Sequence, residues 1–244
     1  IHDGVPTRFA LIPRHGQPDD IRWCDAAPTY VLHWTNAYEV SGSEGDEVIL
    51  EGYHQAKPMP DPLEEMGRYS HMMAYVDEHS FQSRLHRWRF NLKTGETREE
   101  RLSEKIVEFG MINPAYAMRK SRYVWSTTTR PGWFLFNGYV RHDTATGEEQ
   151  VYRLPEGVYA SESPMIPKKG ATSEDSGYLV TFLIDENTGA SECAILDASD
   201  VSKGPICRLA LPHKLCSGTH SVWVEHEQLR KDAAFHAARV ALAP

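Results

Sequence analysis

The chain has 244 residues, 41% of them hydrophobic, with 26 Lys and Arg against 34 Asp and Glu for a formal net charge of −8. That apolar content can bury a sizeable core, and no run approaches the ~18 consecutive apolar residues of a membrane-spanning helix. The acidic balance and the scatter of the basic residues argue against nucleic acid, which needs a concentrated basic face. The densest basic stretch, "RLHRWR" at Arg84 to Arg89, divides its charges between the two faces of a strand.

Short runs rich in Val, Ile, Tyr, Phe and Trp, punctuated by Gly, Pro, Asn and Asp, predict strands. In chain order they are Arg8 to Ile12, Tyr30 to His33, Glu47 to Tyr53, Leu85 to Asn91, Tyr123 to Thr127 and Trp133 to Arg141. Glu149 to Leu154, Tyr178 to Asp185, Ser191 to Asp197, Ile206 to Leu211 and Ser221 to Glu225 follow. Only the tail, Gln228 to Leu242, Ala-rich and without an interior Pro or Gly, reads as a helix.

A repeat emerges when the turns are aligned. "NLKTGET", "DTATGEE" and "DENTGAS" each carry an Asx and a Thr-Gly between two predicted strands, with Gly95, Gly147 and Gly189 standing 52 and 42 residues apart. The glycines supply the positive φ of a tight hairpin, and the period is about one four-stranded propeller blade. The pattern favours a β-propeller, with a sandwich as the alternative, because Asx-x-x-Thr-Gly is common turn chemistry.

Four cysteines, Cys24, Cys193, Cys207 and Cys216, lie far apart with no CxxC pair. Reduced thiols in a cytoplasmic protein are the plain reading, with disulfide pairing as the second. The start, "IHDGVPTRF", has neither the basic nor the apolar block of a signal peptide, and it lacks a methionine, so the chain reads as a piece of something longer.

Of the twelve histidines, His15, His54, His71, His79, His86, His142, His226 and His236 stand among charged or loop residues and read as surface groups, and His213 reads as a loop position. His33 closes an apolar strand in "YVLHWTNAYE", and His220 opens one in "SGTHSVWV". Each alone fits a satisfied core histidine better than a metal ligand. Glu108 in "IVEFGMINPAY" and Glu162 in "ASESPMIP" stand in apolar or proline-bounded segments. An inward carboxylate needs a partner, and a metal-bound imidazole donating its second ring N–H is one such partner; an Arg or solvent is another.

The blocks "GVPTRFALIPR", "YVLHWTNAYE", "EGDEVILEGY", "VEFGMINPAY", "SESPMIP", "SEDSGYLVTFLID", "SECAILDASD" and "SGTHSVWV" occur in that order from Gly4 to Val224. Together they resemble the carotenoid cleavage oxygenase family, the retinal pigment epithelial membrane protein superfamily. "HWTNAYE" and "CSGTHSVWV" resemble its lignostilbene dioxygenase branch in particular. The resemblance implies an all-β, seven-bladed β-propeller with an axial metal site, of which residues 1–244 form the C-terminal portion of a single domain, plus the short C-terminal helix. It further implies Fe(II) held by four histidines, of which His33 and His220 match two, with Glu108 and Glu162 matching carboxylates that orient ligand imidazoles. The other two ligands precede the "PTRF" block in the family. His2 lies four residues before Pro6, too close to match either, and is not assigned.

The implied reaction is cleavage of an electron-rich C=C bond by O2 to two carbonyl products. The motif wording points to a stilbenoid cut to two aromatic aldehydes, with a carotenoid or apocarotenoid as the alternative substrate and Trp34, Phe109 and Met111 as candidate lining. A non-catalytic propeller that binds partners through its rim is the rival from another class. With two of four ligands, the 244 residues alone are expected to be inactive and prone to aggregate through open strand edges.

Overall fold

The computed structural model describes residues 4–43, 45–57, 59–216 and 218–232. The predicted β character holds: the described residues form fifteen strands, all paired antiparallel and mostly with neighbours in the chain. β1 (Thr7–Leu11) and β2 (Arg22–Ala26) form a two-stranded ribbon. β3 (Tyr30–Val40), β4 (Glu47–Gln55), β5 (Ser83–Asn91) and β6 (Thr97–Arg101) make a four-stranded meander.

β7 (Glu108–Met111), β8 (Tyr123–Thr129), β9 (Phe136–Asp143) and β10 (Glu149–Arg153) make a second. In the third unit β11 (Val158–Ala160) and β12 (Met165–Pro167) share one edge of β13 (Gly177–Asp185), which pairs on its other edge with β14 (Ser191–Asp197), and β14 pairs in turn with β15 (Pro205–Ala210). One residue pair, Ala160 with Phe136, joins the second and third units. Four consecutive antiparallel strands are the building block of a propeller blade.

The three Asx-x-x-Thr-Gly turns share one chemistry. Gly95, Gly147 and Gly189 sit at φ 76, 77 and 72°, and each donates its N–H to the carbonyl of Asn91, Asp143 or Asp185, four residues back. The same Asx side chains accept from the backbone N–H two residues on. Their place differs, however: the first two turns join the third and fourth strands of a meander, whereas Gly189 joins β13 to β14. That shift explains the shorter second spacing.

Aromatic and aliphatic side chains fill the spaces between sheets. Tyr53, Leu85, Val107, Val124 and Val140 join the first meander to the second, while Phe109, Trp125, Phe136, Tyr139 and Leu179 form part of the larger core beneath the second and third. Among the described residues no helix is long and apolar enough to cross a membrane, and all four cysteines are free.

Several expectations need correction. Helical turns are not confined to the tail: Glu64–Tyr69 is a 3-10 segment, followed by α1 (Ser70–Ala74) and α2 (Glu78–Phe81). Elements this short leave no 3.6-residue periodicity to read. Residues 226–232 are helical, and the rest of the predicted tail helix lies outside the described residues, as do His2 and His236. Ser221 to Glu225 is not a strand; it has no ladder partner among the described residues, and Val222 and Trp223 are exposed.

Two histidines read as surface groups are buried. His86 packs on His54 and Trp88 with ring centroids 4.9 and 4.5 Å away, and burial, helped by the His54 charge, lowers its pKa to about 4. His142 lies in a hydrogen-bonded chain with Tyr53, Ser126 and Glu149. The "RLHRWR" arginines are engaged as well: Arg87 Nη2 stands 2.6 Å from buried Glu51 and Nη1 3.2 Å from Glu100, and Arg89 pairs with Glu47.

Candidate metal centre

His33 sits where the β3–β4 ladder slips register between Val31 and Trp34. Gly52 lies opposite Trp34, the next residue. A Cβ there would stand 2.6 Å from the Trp34 ring and 2.9 Å from the His33 carbonyl oxygen, so the bulge that aims His33 depends on a missing side chain. Its imidazole leaves the regular alternation and meets β7, the first strand of the next meander.

Glu108 opens β7 fully buried. Its Oε2 accepts from His33 Nδ1 at 2.9 Å and from the Phe109 N–H at 2.8 Å, while Oε1 accepts from Ser83 Oγ at 3.3 Å. Phe109 has φ 51°, a left-handed conformation costly for a bulky residue. That turn folds its N–H back onto the carboxylate just before it. Burial raises the Glu108 pKa, with the His33 and Phe109 hydrogen bonds acting against it. For His33, burial lowers the pKa, but the Glu108 hydrogen bond and the charges of Glu108 and Glu162 outweigh it, so the net direction is upward.

Glu162, between β11 and β12, repeats the arrangement. Its Oε2 lies 3.3 Å from His220 Nδ1 and accepts from the Ser221 N–H at 2.6 Å, and Ser221 Oγ donates to its backbone carbonyl at 2.9 Å. These bonds anchor the segment carrying His220, whose side chain is 63% exposed, against the third sheet.

All four residues singled out from sequence come together. The His33 and His220 ring centroids are 5.2 Å apart and nearly perpendicular, and Phe109 packs on both at 4.4 and 5.4 Å. With each Nδ1 held by a carboxylate, each ring keeps Nε2 for a further partner. Among the described residues no cluster of three or more His, Cys, Asp or Glu completes a metal site; the two imidazoles fit part of a ligand set.

The lining guesses divide. Phe109 touches both rings. Trp34 packs instead on Phe9 and Trp88, and Met111 stands opposite Trp125 on the β7–β8 ladder. Sequence reading missed Gln55 and Glu78, which line a cavity together with Phe134, the neighbour of Phe109; a buried Glu opening a four-residue helix carries no sequence signal of its own.

The Retinal pigment epithelial membrane protein family model matches residues 1–225. A carotenoid 9,10(9′,10′)-cleavage dioxygenase of Crocus sativus is 32% identical over 238 residues, covering 91% of this chain and 42% of that protein. An isoeugenol monooxygenase of Pseudomonas nitroreducens is 27% identical over 230 residues, covering 88% of this chain and 46% of that protein. The chain therefore spans a little under half the length of these relatives. The crystal structure of cobalt-substituted Synechocystis apocarotenoid oxygenase superposes with a TM-score of 0.78 at 22% identity, over 92% of this chain and 45% of that one. Family match and shared fold lead to one conclusion: the chain is a member of the retinal pigment epithelial membrane protein family, the carotenoid cleavage oxygenases.

Proposed function

We propose that the protein carrying this chain is a non-haem Fe(II) dioxygenase that cleaves a conjugated C=C bond of a carotenoid or apocarotenoid with O2, giving two carbonyl products. Residues 1–244 form the C-terminal part of its single seven-bladed propeller domain. The observation that carries the reading is the paired imidazole arrangement: His33 and His220 face each other, each with Nδ1 on a buried glutamate. Their Nε2 atoms would hold iron together with ligands from outside the described residues. Iron bound there supplies the O2-activating redox chemistry.

The remaining roles belong to side chains present in the chain. Glu108 and Glu162 accept the Nδ1–H of each ring, which fixes the tautomer and supplies the negative charge that neutral imidazoles lack. Phe109 covers one side of both rings and limits water there. Four free thiols support a reducing compartment such as the cytoplasm. The 244 residues alone are expected to bind Fe(II) weakly.

A stilbenoid substrate is the second reading, supported by the "HWTNAYE" and "CSGTHSVWV" wording and by the isoeugenol monooxygenase likeness. The relatives at 32% identity, named as carotenoid-cleaving enzymes, favour the carotenoid. Anaerobic Fe(II) reconstitution of the full-length protein, metal analysis, and O2-dependent loss of polyene absorbance test the proposal. About one iron per chain is expected, with turnover abolished by His33→Ala or His220→Ala. Absence of both iron and turnover would return the protein to the rim-binding scaffold.

A further inference from the structure

A cavity of about 310 Å3 lies beside Phe134, two ring contacts away from His33. Tyr30, Tyr75, Phe81 and Phe134 supply its aromatic walls, and Gln55 and Glu78 its polar ones. Phe134 connects it to the metal centre, packing on Phe109 at 5.4 Å between ring centroids, while Phe109 in turn packs on His33 at 4.4 Å. The polar end is close by another route: Gln55 pairs with Ser83 across the β4–β5 ladder, and Ser83 Oγ donates to Glu108.

The polar end is unfinished. Gln55 is 1% exposed and Glu78 2%. Among the described residues, neither the Oε1 nor the Nε2 of Gln55 has a hydrogen-bond partner, and Glu78 Oε2 has none. Buried polar atoms are rarely left so, and three of them around one ring-sized cavity call for a ligand group that both donates and accepts. The volume is near the lower end for small-molecule sites, enough for one ring rather than for a whole polyene.

The surroundings narrow that group's chemistry. Burial, reinforced by the charges of Glu108 and Asp77, raises the Glu78 pKa to about 8, so near neutral pH its carboxyl is mostly an O–H donor. A carboxylate on the ligand would meet the negative field of Glu108 and Asp77. A neutral hydroxyl meets a donor in Glu78, and both a donor and an acceptor in the Gln55 amide.

We propose that Gln55 and Glu78 form a recognition site for a neutral hydroxyl on the terminal ring of the substrate, making this protein selective for hydroxylated over unsubstituted rings. The proposal rests on the alkene-cleaving reading of the neighbouring site. It assigns Gln55 and Glu78 to substrate choice rather than to bond cleavage.

The test uses metal-free full-length protein, so that binding is read without turnover, and two probes: β-apo-8′-carotenal and its 3-hydroxy counterpart. Titration by tryptophan quenching is expected to show the hydroxylated probe binding at least about tenfold tighter. Glu78→Gln, which keeps a donor and an acceptor, should retain most of that preference. Gln55→Met with Glu78→Met, checked for folding by circular dichroism, should bind both probes equally. Equal affinities in the wild type, no saturable binding of either, or an unchanged preference in the folded double variant overturns the proposal. The last result would mean that another part of the polypeptide satisfies these atoms. Iron-loaded turnover separates the two claims: cleavage of both probes at equal affinity sinks the hydroxyl site alone, and hydroxyl-selective binding without cleavage sinks the oxygenase reading alone.

Discussion

Glu108 Oε2 receives two hydrogen bonds at once, from His33 Nδ1 at 2.9 Å and from the N–H of its neighbour Phe109 at 2.8 Å. One buried oxygen thereby fixes the tautomer of an imidazole on one sheet and the turn that places an aromatic ring against it on the next. Side-chain chemistry and backbone conformation share a single acceptor.

Glu108→Gln keeps the volume but replaces an acceptor-only group with an amide that can also present N–H to Nδ1. Loss of a carboxylate behind a ligand imidazole typically costs about 10–100-fold in metal affinity. Titration of the full-length protein with Co(II) should show that loss with the fold intact by circular dichroism. Unchanged affinity would reduce Glu108 to a packing role.

Gly52→Ala should disturb His33 from behind. The added methyl would press on the Trp34 ring and, at 2.9 Å, on the His33 carbonyl oxygen, and the second contact is backbone that cannot rotate away. Overpacking of this kind costs about 1–3 kcal/mol. Urea unfolding should report it, and Co(II) affinity should fall in parallel; a variant as stable as the parent would refute the steric argument.

The buried Arg87–Glu51 pair offers a separate test. Glu51→Leu strands a guanidinium that is 8% exposed, leaving it Glu100 at 3.2 Å as its carboxylate partner among the described residues, and breaking such a pair costs about 3–5 kcal/mol. The double replacement Glu51→Leu with Arg87→Met should recover much of the loss. A double-mutant cycle by urea denaturation measures the coupling.

Acid stability should depend on Glu149. Burial pushes its pKa up, but His142, Ser103 and Lys105 overrule burial and hold the carboxyl at about 2. A folded pKa below the unfolded value contributes stability that is complete above about pH 4.5 and is lost as the pH falls toward about 2. Unfolding free energy followed from pH 6 to pH 3 should therefore decline less steeply in Glu149→Gln than in the parent. Parallel declines would show that Glu149 is not the group responsible.

Much of this was legible in the sequence because period and burial coincide. Ser191–Asp197 and Tyr178 to Asp185 alternate toward the core, and the strands match the predicted ranges to within a residue. β6, "TREER", was not legible: almost every side chain is exposed, and what fixes it is polar pairing across the ladder, the ion pair of Glu100 with Arg87 and the contact of the Glu99 carboxylate with the His86 ring at 3.3 Å. β11 and β12 are three residues each, below the reach of any pattern. For the site, motif wording drew out His33, His220, Glu108 and Glu162, yet the pairings join residues 75 and 58 positions apart. Local spacing cannot show such partners. Gln55 and Glu78 escaped altogether because their only signature is the absence of a partner.

The hydrogen-bonded chain through His142 has a wider implication for how sites are recognised. Ser126 Oγ lies 3.0 Å from His142 Nε2, and His142 Nδ1 lies 3.0 Å from Glu149, which are the distances of a hydrolase's serine, histidine and acid. Ser126 is 1% exposed, His142 2%, and the serine hydroxyl is already engaged by Tyr53 at 2.7 Å. A geometric template search for serine hydrolases would select these three residues, and a fluorophosphonate probe would leave the folded protein unlabelled. Identical donor–acceptor distances serve here as an interior brace between sheets, because no substrate can approach the oxygen.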